Sequence, residues 1–201
     1  MAELEIRLSG SGGQGILLIG RILGEALTQK RFKVAQSQSY EPTSRGGLSR
    51  SDLVASDHDV DYPLATSLDY LVVLHKIAIG ASDQLLKSSS LIIIDSPLSE
   101  LYRPNNGQCV FLPISETAKR LGSIRSTNMV ALGTLLALSD ICDEVTLFAA
   151  IEQVAPAKLV ESSLEAVKEG YRIAQNSQTA DQADLDLVET SLAERVPLVS
   201  L

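Results

Sequence analysis

The sequence feature that most constrains the fold is a glycine-rich turn, GSGGQG, at residues 10–15. Before it, Leu4, Ile6 and Leu8 alternate with charged residues, which predicts a β-strand. After it, residues 16–30 carry apolar side chains at helical spacing. A strand, a glycine turn and a helix in this order form a unit whose helix N-terminus offers unpaired N–H groups to an anion. The alternative is that these glycines only permit the corner between strand and helix.

Gly10, Gly12 and Gly15 match the GxGxxG pattern of dinucleotide-binding turns. There the first glycine allows the tight turn, the second lets backbone approach a pyrophosphate, and the third lets helix and strand pack. A nicotinamide dinucleotide also needs an acid at the end of the second strand, where residues 36–39 read Gln-Ser-Gln-Ser. The turn therefore predicts a site for an anion or nucleotide end but argues against NAD. A Walker-type site is excluded because no Lys-Ser/Thr pair follows the glycines.

The rest of the chain alternates between strand-like and helix-like segments before it becomes helical. Strands are predicted at residues 34–38, 51–56, 70–74, 91–94 and 109–112. Helices are predicted at residues 77–86, as a crossover, and at residues 115–121, 128–138, 143–154 and 158–175. This order predicts an α/β fold: a three-layer Rossmann-like domain with a mostly parallel sheet and a helical C-terminal part. The domain is assigned to residues 1–176 and a tail to residues 177–201.

A second unusual loop, at residues 39–50, follows the second predicted strand. It combines a rigid Pro42 with Arg45 and the flexible pair Gly46-Gly47. In a doubly wound sheet the carboxyl edge of the strands is where ligands bind, so Arg45 is predicted to pair with a phosphate or carboxylate. The alternative is a surface turn with solvated arginines.

Three other polar residues are weaker candidates, of which His75 is predicted to lie near that edge. His75 follows a buried strand and is interpreted as a structural histidine rather than a catalytic base. His58 lies between two aspartates and is interpreted as an exposed loop residue. Asn128 begins the buried helix, either as a helix cap or as a side chain that reaches the ligand edge. No catalytic set and no metal cluster is predicted.

Composition excludes several classes of function. The chain has 201 residues, a net charge of −8 and a pI near 4.8, which argues against nucleic-acid binding. No apolar run is long enough to span a membrane, and the first residues do not resemble a secretory signal, so a cytoplasmic location is expected. The two cysteines, Cys109 and Cys142, cannot form a disulfide framework, a CxxC zinc site or an iron–sulfur cluster from this chain alone.

The predicted tail is strongly acidic. Residues 177–201 hold five acidic and one basic side chain, so an eighth of the chain carries half of the net charge. The tail ends in apolar residues around Pro197. It is either a frayed acidic terminus or an arm that docks on a partner through its Leu and Val residues.

Together these segments resemble the gamma subunit of the 2-oxoacid:ferredoxin (acceptor) oxidoreductases, the pyruvate/ketoisovalerate oxidoreductase catalytic-domain family. The same domain occurs fused in pyruvate:ferredoxin oxidoreductase. The likeness covers about residues 4–175, and the 2-oxoglutarate type is most similar. The matching residues are 10–16, Ser39, Tyr40, Pro42, Arg45, Gly46, Gly47, Ser56, Asp57, 61–63, Asp69, Asp95, Ser96 and 128–133.

The resemblance implies a subunit of a thiamine-dependent complex that oxidatively decarboxylates a 2-oxoacid to acyl-CoA and passes electrons to ferredoxin. It implies alpha and beta thiamine-binding subunits and a ferredoxin-like delta subunit as partners. Thiamine diphosphate and the iron–sulfur clusters are expected on these partners and no cofactor on this chain alone. The roles implied for the chain are assembly and a contribution to a coenzyme A site, with no complete catalytic site of its own. The isolated chain is a candidate homodimer.

The ligand-binding residues expected on these grounds are Gly10, Gly12, Gly13, Gln14, Gly15, Tyr40, Arg45, Gly46, Gly47 and Asn128. The loop departs from the family pattern, because Glu41 replaces a glycine and Thr43 replaces a glutamate. Glu41 is expected either to oppose an anion or to pair with Arg45 or Arg50 and hold the loop closed. The alternatives to the subunit are a free-standing NAD(P)-dependent dehydrogenase and a binding or regulatory Rossmann-like protein without an enzymatic partner.

Overall fold

A computed structural model of the protein describes residues 3–41, 46–60 and 62–193. The strands are β1 (Leu4–Ser11), β2 (Lys33–Tyr40), β3 (Leu48–Ser56), β4 (Leu68–Val73), β5 (Leu86–Asp95) and β6 (Gln108–Leu112). The α-helices are α1 (Ile16–Gln29), α2 (Ile114–Arg120), α3 (Thr127–Ala137), α4 (Glu144–Val154) and α5 (Val160–Ala193). The predicted strand, glycine turn and helix at the N-terminus are confirmed.

The strands form one sheet in the order β2-β3-β1-β4-β5-β6. The strand β3 pairs antiparallel with β1 and with β2, whereas β1-β4, β4-β5 and β5-β6 are parallel pairs. The reversal at β3 follows from its connection: residues 41–47 are too few for a parallel crossover, which needs a dozen or more. The predicted mostly parallel sheet is confirmed, and the carboxyl ends of five strands meet at one edge.

The crossover helix predicted at residues 77–86 is wrong. The structure has two single 3₁₀ turns there, Lys76–Ala78 and Asp83–Leu85, and Leu86 already begins β5. Between the two turns Gly80 has a φ of 71°, a left-handed conformation that ends a right-handed helix. The early start of β5 leaves no length for a longer helix.

The sheet separates two apolar clusters. The larger cluster holds the inward faces of all five described α-helices against one side of the sheet, including Ile6, Leu8 and Ile93. The smaller cluster lies on the other side, over β4 and β5, where 3₁₀ turns and loops cover it. Within the described residues the third layer is therefore made of short turns. No helix of the described ranges has the length and apolarity needed to cross a bilayer.

The helices α3 and α5 cross unusually closely. A Cβ built on Gly133 of α3 would lie 2.2 Å from the Val167 carbonyl oxygen of α5. The helix α3 is buried over nearly its whole length, as its all-apolar pattern predicts. The helix α5 continues to Ala193, past the predicted end at residue 175. The predicted domain boundary at residue 176 thus falls inside a helix and stays a prediction, and residues 194–201 of the predicted tail lie outside the described residues.

Candidate functional site

The glycine turn connects β1 to α1 through two left-handed residues. Gly13 has a φ of 93° and Gly15 a φ of 73°, a region that disfavours any side chain. The Gln14 side chain fixes the turn, since its Oε1 accepts from the Ser11 N–H at 2.7 Å and its Nε2 donates to the Leu74 carbonyl at 3.3 Å. Gln14 thus ties the turn to the end of β4.

The two loops that the sequence singles out contact each other. The Gly12 N–H donates to the Gly47 carbonyl at 2.8 Å. A Cβ built on Gly12 would lie 3.7 Å from the Gly47 carbonyl oxygen and 3.9 Å from the Gly46 nitrogen. A methyl group fits in this space, whereas a branched side chain would press on the second loop or on anything bound beside it.

A pocket of about 710 Å³ opens where the two loops meet the start of α1. The first hydrogen bonds of α1 run from the Leu18 and Ile19 N–H groups to the Gly15 carbonyl. The N–H groups of Ile16 and Leu17, which precede them, are therefore available at the pocket wall. The pocket is lined by Gly12, Gly13, Gly15, Ile16, Leu17, Tyr40, Glu41, Gly46, Gly47 and Ser49. We call it the glycine pocket. It brings together six of the ten residues predicted for a ligand site; Gly10, Gln14 and Asn128 are not in its lining, and Arg45 lies outside the described residues.

Glu41 closes the second loop through the backbone. Its N–H donates to the Leu48 carbonyl at 2.9 Å, and its carboxylate accepts from the Leu48 N–H at 3.2 Å. Glu41 therefore closes the second loop through hydrogen bonds to Leu48, the first residue of β3. Arg45, which the sequence places in the same loop, lies with residues 42–44 outside the described residues.

Asn128 reaches the glycine turn from α3. It is only 4% exposed, and its Nδ2 donates to the Gly15 carbonyl at 3.2 Å. Its Oδ1 accepts from the Met129 N–H at 2.9 Å, and Ser126, not Asn128, is the N-cap residue. A Cβ on Gly15 would come within 2.4 Å of the Asn128 amide nitrogen. Asn128 therefore positions the turn, and of its two predicted roles the helix cap is wrong.

Comparison with known proteins assigns the chain to a family. Residues 5–173 match the family model described as pyruvate ferredoxin/flavodoxin oxidoreductase. The chain belongs to this oxidoreductase family. It is 37% identical to the 2-oxoglutarate synthase subunit KorC of Archaeoglobus fulgidus over 68% of this chain and 71% of that protein.

Two solved structures agree with this family. The gamma subunit of a keto/oxoacid ferredoxin oxidoreductase from Geobacter sulfurreducens has a TM-score of 0.78 and 34% identity, over 88% of this chain and 98% of that one. A 2-oxoglutarate:ferredoxin oxidoreductase from Magnetococcus marinus, with 2-oxoglutarate, coenzyme A and succinyl-CoA bound, has a TM-score of 0.77 and 25% identity. That match covers 88% of this chain but 32% of the longer one. The predicted family, and with it a subunit of an oxoacid oxidoreductase, is confirmed, and neither alternative is supported.

The histidines of this family member have local roles. His75 Nδ1 accepts from the Ile77 N–H at 3.3 Å and begins the 3₁₀ turn after β4, which agrees with its structural interpretation. His58 is exposed, with its Nδ1 3.8 Å from the carboxylate of Asp57. Neither side chain lines the glycine pocket.

The two thiols are poor metal ligands. Burial raises the pKa of Cys142 to about 12 and also raises the pKa of Cys109, so both are protonated near neutral pH. Among the described residues, no three His, Cys, Asp or Glu side chains gather in a group that could hold a metal ion.

Sequence reasoning missed a charged cluster on the sheet surface opposite the helices. Arg7, 7% exposed, donates from Nε and Nη2 to the two carboxylate oxygens of Asp52 at 2.7 and 2.6 Å. Its Nη1 donates to the Ser82 hydroxyl at 3.1 Å. The available signal was the alternation itself, because a charged residue at every second position of a central strand must find buried partners.

Proposed function

We propose that the chain is the gamma-type subunit of a 2-oxoacid:ferredoxin oxidoreductase and that its glycine pocket holds the anionic end of coenzyme A. The observation that carries the proposal is the meeting of two glycine segments at the N-terminus of α1, around a cavity of about 710 Å³. Such a cavity lies within the usual range for small-molecule sites.

The chemistry of the pocket wall suits a phosphate or pyrophosphate group. Backbone N–H groups at a helix start attract anions, and glycines allow the ligand to approach the main chain closely. The Leu48 N–H donates a hydrogen bond to the Glu41 carboxylate, which holds this carboxylate at the start of β3. In this proposal Arg45, from the same loop, adds a charge-assisted hydrogen bond to the anion.

The remaining chemistry is assigned to partner subunits. Two protonated cysteines and the absence of a metal-binding group among the described residues do not fit an iron–sulfur cluster on this chain. We assign thiamine diphosphate to alpha and beta subunits and the clusters to a ferredoxin-like delta subunit. We take 2-oxoglutarate as the oxoacid, because the relatives with 31–37% identity are named 2-oxoglutarate synthase subunits.

An NAD-dependent dehydrogenase fits this site poorly. Residues 36–39, where the sequence places the ribose-binding acid, are Gln-Ser-Gln-Ser and carry no acid. Gln36 lies within β2, and its amide donates to the Ser51 hydroxyl of β3 at 2.8 Å.

The test compares two substitutions at Gly12 in the reconstituted complex. Gly12→Val places branches against the second loop and the ligand, so the KM for coenzyme A should rise about ten- to a hundredfold, a loss of about 1.4–2.7 kcal/mol. Gly12→Ala is the matched control, since its methyl group lies at ordinary contact distance, and its KM should stay within about threefold.

Subunit assembly is measured for both variants by size-exclusion chromatography. An unchanged coenzyme A KM in an intact Gly12→Val complex would contradict the proposal and leave the turn as a structural corner. Loss of assembly in Gly12→Val alone would instead assign the glycine pocket to subunit contact.

A further inference from the structure

The sheet surface opposite the helices carries two rows of polar side chains across three strands. In one row Ser37 of β2 lies beside Asp52 of β3, which lies beside Arg7 of β1. In the next row the order is Ser39, Arg50 and Ser9. We call these six residues the polar face. The rows lie two residues apart, so all six side chains share one side of the sheet.

The Arg7 and Asp52 side chains of the first row are paired, whereas the second row contains two unpaired polar atoms. Arg7 and Asp52 form a bidentate ion pair and cancel each other's charge. The Nε of the Arg50 side chain is buried and has no hydrogen-bond partner among the described residues. The hydroxyl of Ser9, a residue 1% exposed, is likewise without a partner. Unpaired buried polar atoms are rare and costly, so the unpaired Nε of Arg50 calls for an explanation.

The net charge of the polar face is positive. With Arg7 and Asp52 neutralising each other, the Arg50 guanidinium remains. Burial, followed by the Arg7 charge, lowers the pKa of Arg50, whereas Asp52 and Glu41 raise it. The group stays charged at neutral pH because a free guanidinium titrates far above it. A bound anion would neutralise Arg50 and relieve its repulsion from Arg7.

A cavity of about 220 Å³ lies on this face, lined by Arg7, Ser37, Gln38, Ser39, Arg50, Asp52 and Leu64. It is too small for a nucleotide and has room for one small oxyanion. The hydroxyls of Ser37 and Ser39 along β2 add donors. The cavity shares no lining residue with the glycine pocket, which lies beyond the carboxyl ends of the strands.

We propose that the polar face is a second anion site, in which the Arg50 guanidinium and the Ser37 and Ser39 hydroxyls bind a phosphate or carboxylate group in this cavity. The site is separate from the coenzyme A site proposed above and does not depend on it.

The test is thermal unfolding of the full chain in sodium phosphate, sodium acetate and sodium chloride at equal ionic strength. One oxyanion should raise the Tm of the wild type by about 2–4 °C more than chloride does. Arg50→Gln should lose most of this difference. Arg21→Gln, which removes an exposed arginine on α1, is the matched charge control and should retain it.

The oxyanion that acts identifies the source: a response to phosphate alone indicates a phosphorylated ligand, and a response to acetate indicates a carboxylate. Because phosphate also stabilises proteins without binding, the difference between wild type and Arg50→Gln is the quantity compared.

Gly12→Val should retain the shift, and a shift lost in Gly12→Val alone would place the anion in the glycine pocket and overturn the proposal. Equal shifts in wild type and Arg50→Gln would also overturn it and leave water as the partner of Arg50.

Discussion

The two faces of β1 are both buried but are stabilised in different ways. On one face Ile6 and Leu8, both 0% exposed, pack beneath the helices, where contact area provides the stability. On the other face Glu5 and Arg7 are nearly as buried and depend on particular partners. Glu5 accepts from the N–H groups of residues 66 and 67, and Arg7 pairs with Asp52. The apolar face should respond to changes in volume, and the polar face to the loss of a single partner.

The largest expected effect is therefore on the polar side. Asp52→Ala leaves Arg7 buried without its carboxylate, which should destabilise the protein by about 3–5 kcal/mol. Urea unfolding followed by circular dichroism measures this. The control is Asp59→Ala, which removes a carboxylate paired with Lys33 on the exposed surface and should change little.

The same comparison is sharpened by a double variant. Arg7→Met combined with Asp52→Leu removes both charges and should recover most of the lost stability. A loss of stability in Asp52→Ala no greater than in Asp59→Ala would show that the polar face does not depend on its ion pair.

The next effect concerns close packing among the helices. Gly133→Ala drives a methyl group into the Val167 carbonyl, so α3 and α5 must separate, at a cost of about 1–3 kcal/mol. Gly24→Ala is the matched control in α1, where the new Cβ would lie 3.4 Å from Leu53. That change should be neutral or stabilising by up to about 1 kcal/mol, because alanine favours helix.

Unfolding midpoints of the two glycine variants, measured side by side, separate packing from helix propensity. If Gly133→Ala were as stable as Gly24→Ala, the α3–α5 crossing would be loosely packed. That result would contradict the expectation that the helix side of the sheet responds to changes in side-chain volume.

These contrasts explain what the sequence could predict. The first strand, its turn and α1 follow from local periodicity and from glycines that are needed at positive φ. The position of the second loop at the carboxyl edge of the sheet was also predictable, whereas its contact with the glycine turn is seen only in the structure. The crossover helix was wrong because periodicity does not indicate that Gly80 adopts a left-handed conformation.

The long-range pairs on the polar face and at the glycine turn could not be predicted. Arg7 and Asp52 are 45 residues apart, and Asn128 and Gly15 are 113 apart. Their contact depends on strand register and on helix packing, which a single sequence does not reveal. The polar face could not be predicted for the same reason, because Ser9 and Arg50 become neighbours only through the antiparallel pairing of β1 and β3.

The smallest expected effect concerns a charge on the exposed surface, in contrast to the buried pair of β1. Asp143 is the N-cap of α4, and hydrogen bonds from the Thr146 N–H and hydroxyl, followed by one from Lys30, hold its pKa below the ordinary value. Because the folded pKa is lowered, its contribution is fully present above the unfolded pKa of about 3.9 and is lost as the pH falls through the folded value. Asp143→Asn keeps a capping oxygen but removes the charge. The wild type should therefore have the higher Tm at pH 6, and the difference should shrink steadily below about pH 4.

Asp140→Asn, which alters a nearby carboxylate outside the cap, is the control, and scanning calorimetry at pH 6, 4 and 3 measures all three proteins. A difference between wild type and Asp143→Asn that stays constant down to pH 3 would show that the cap acts through hydrogen-bond geometry rather than through its charge.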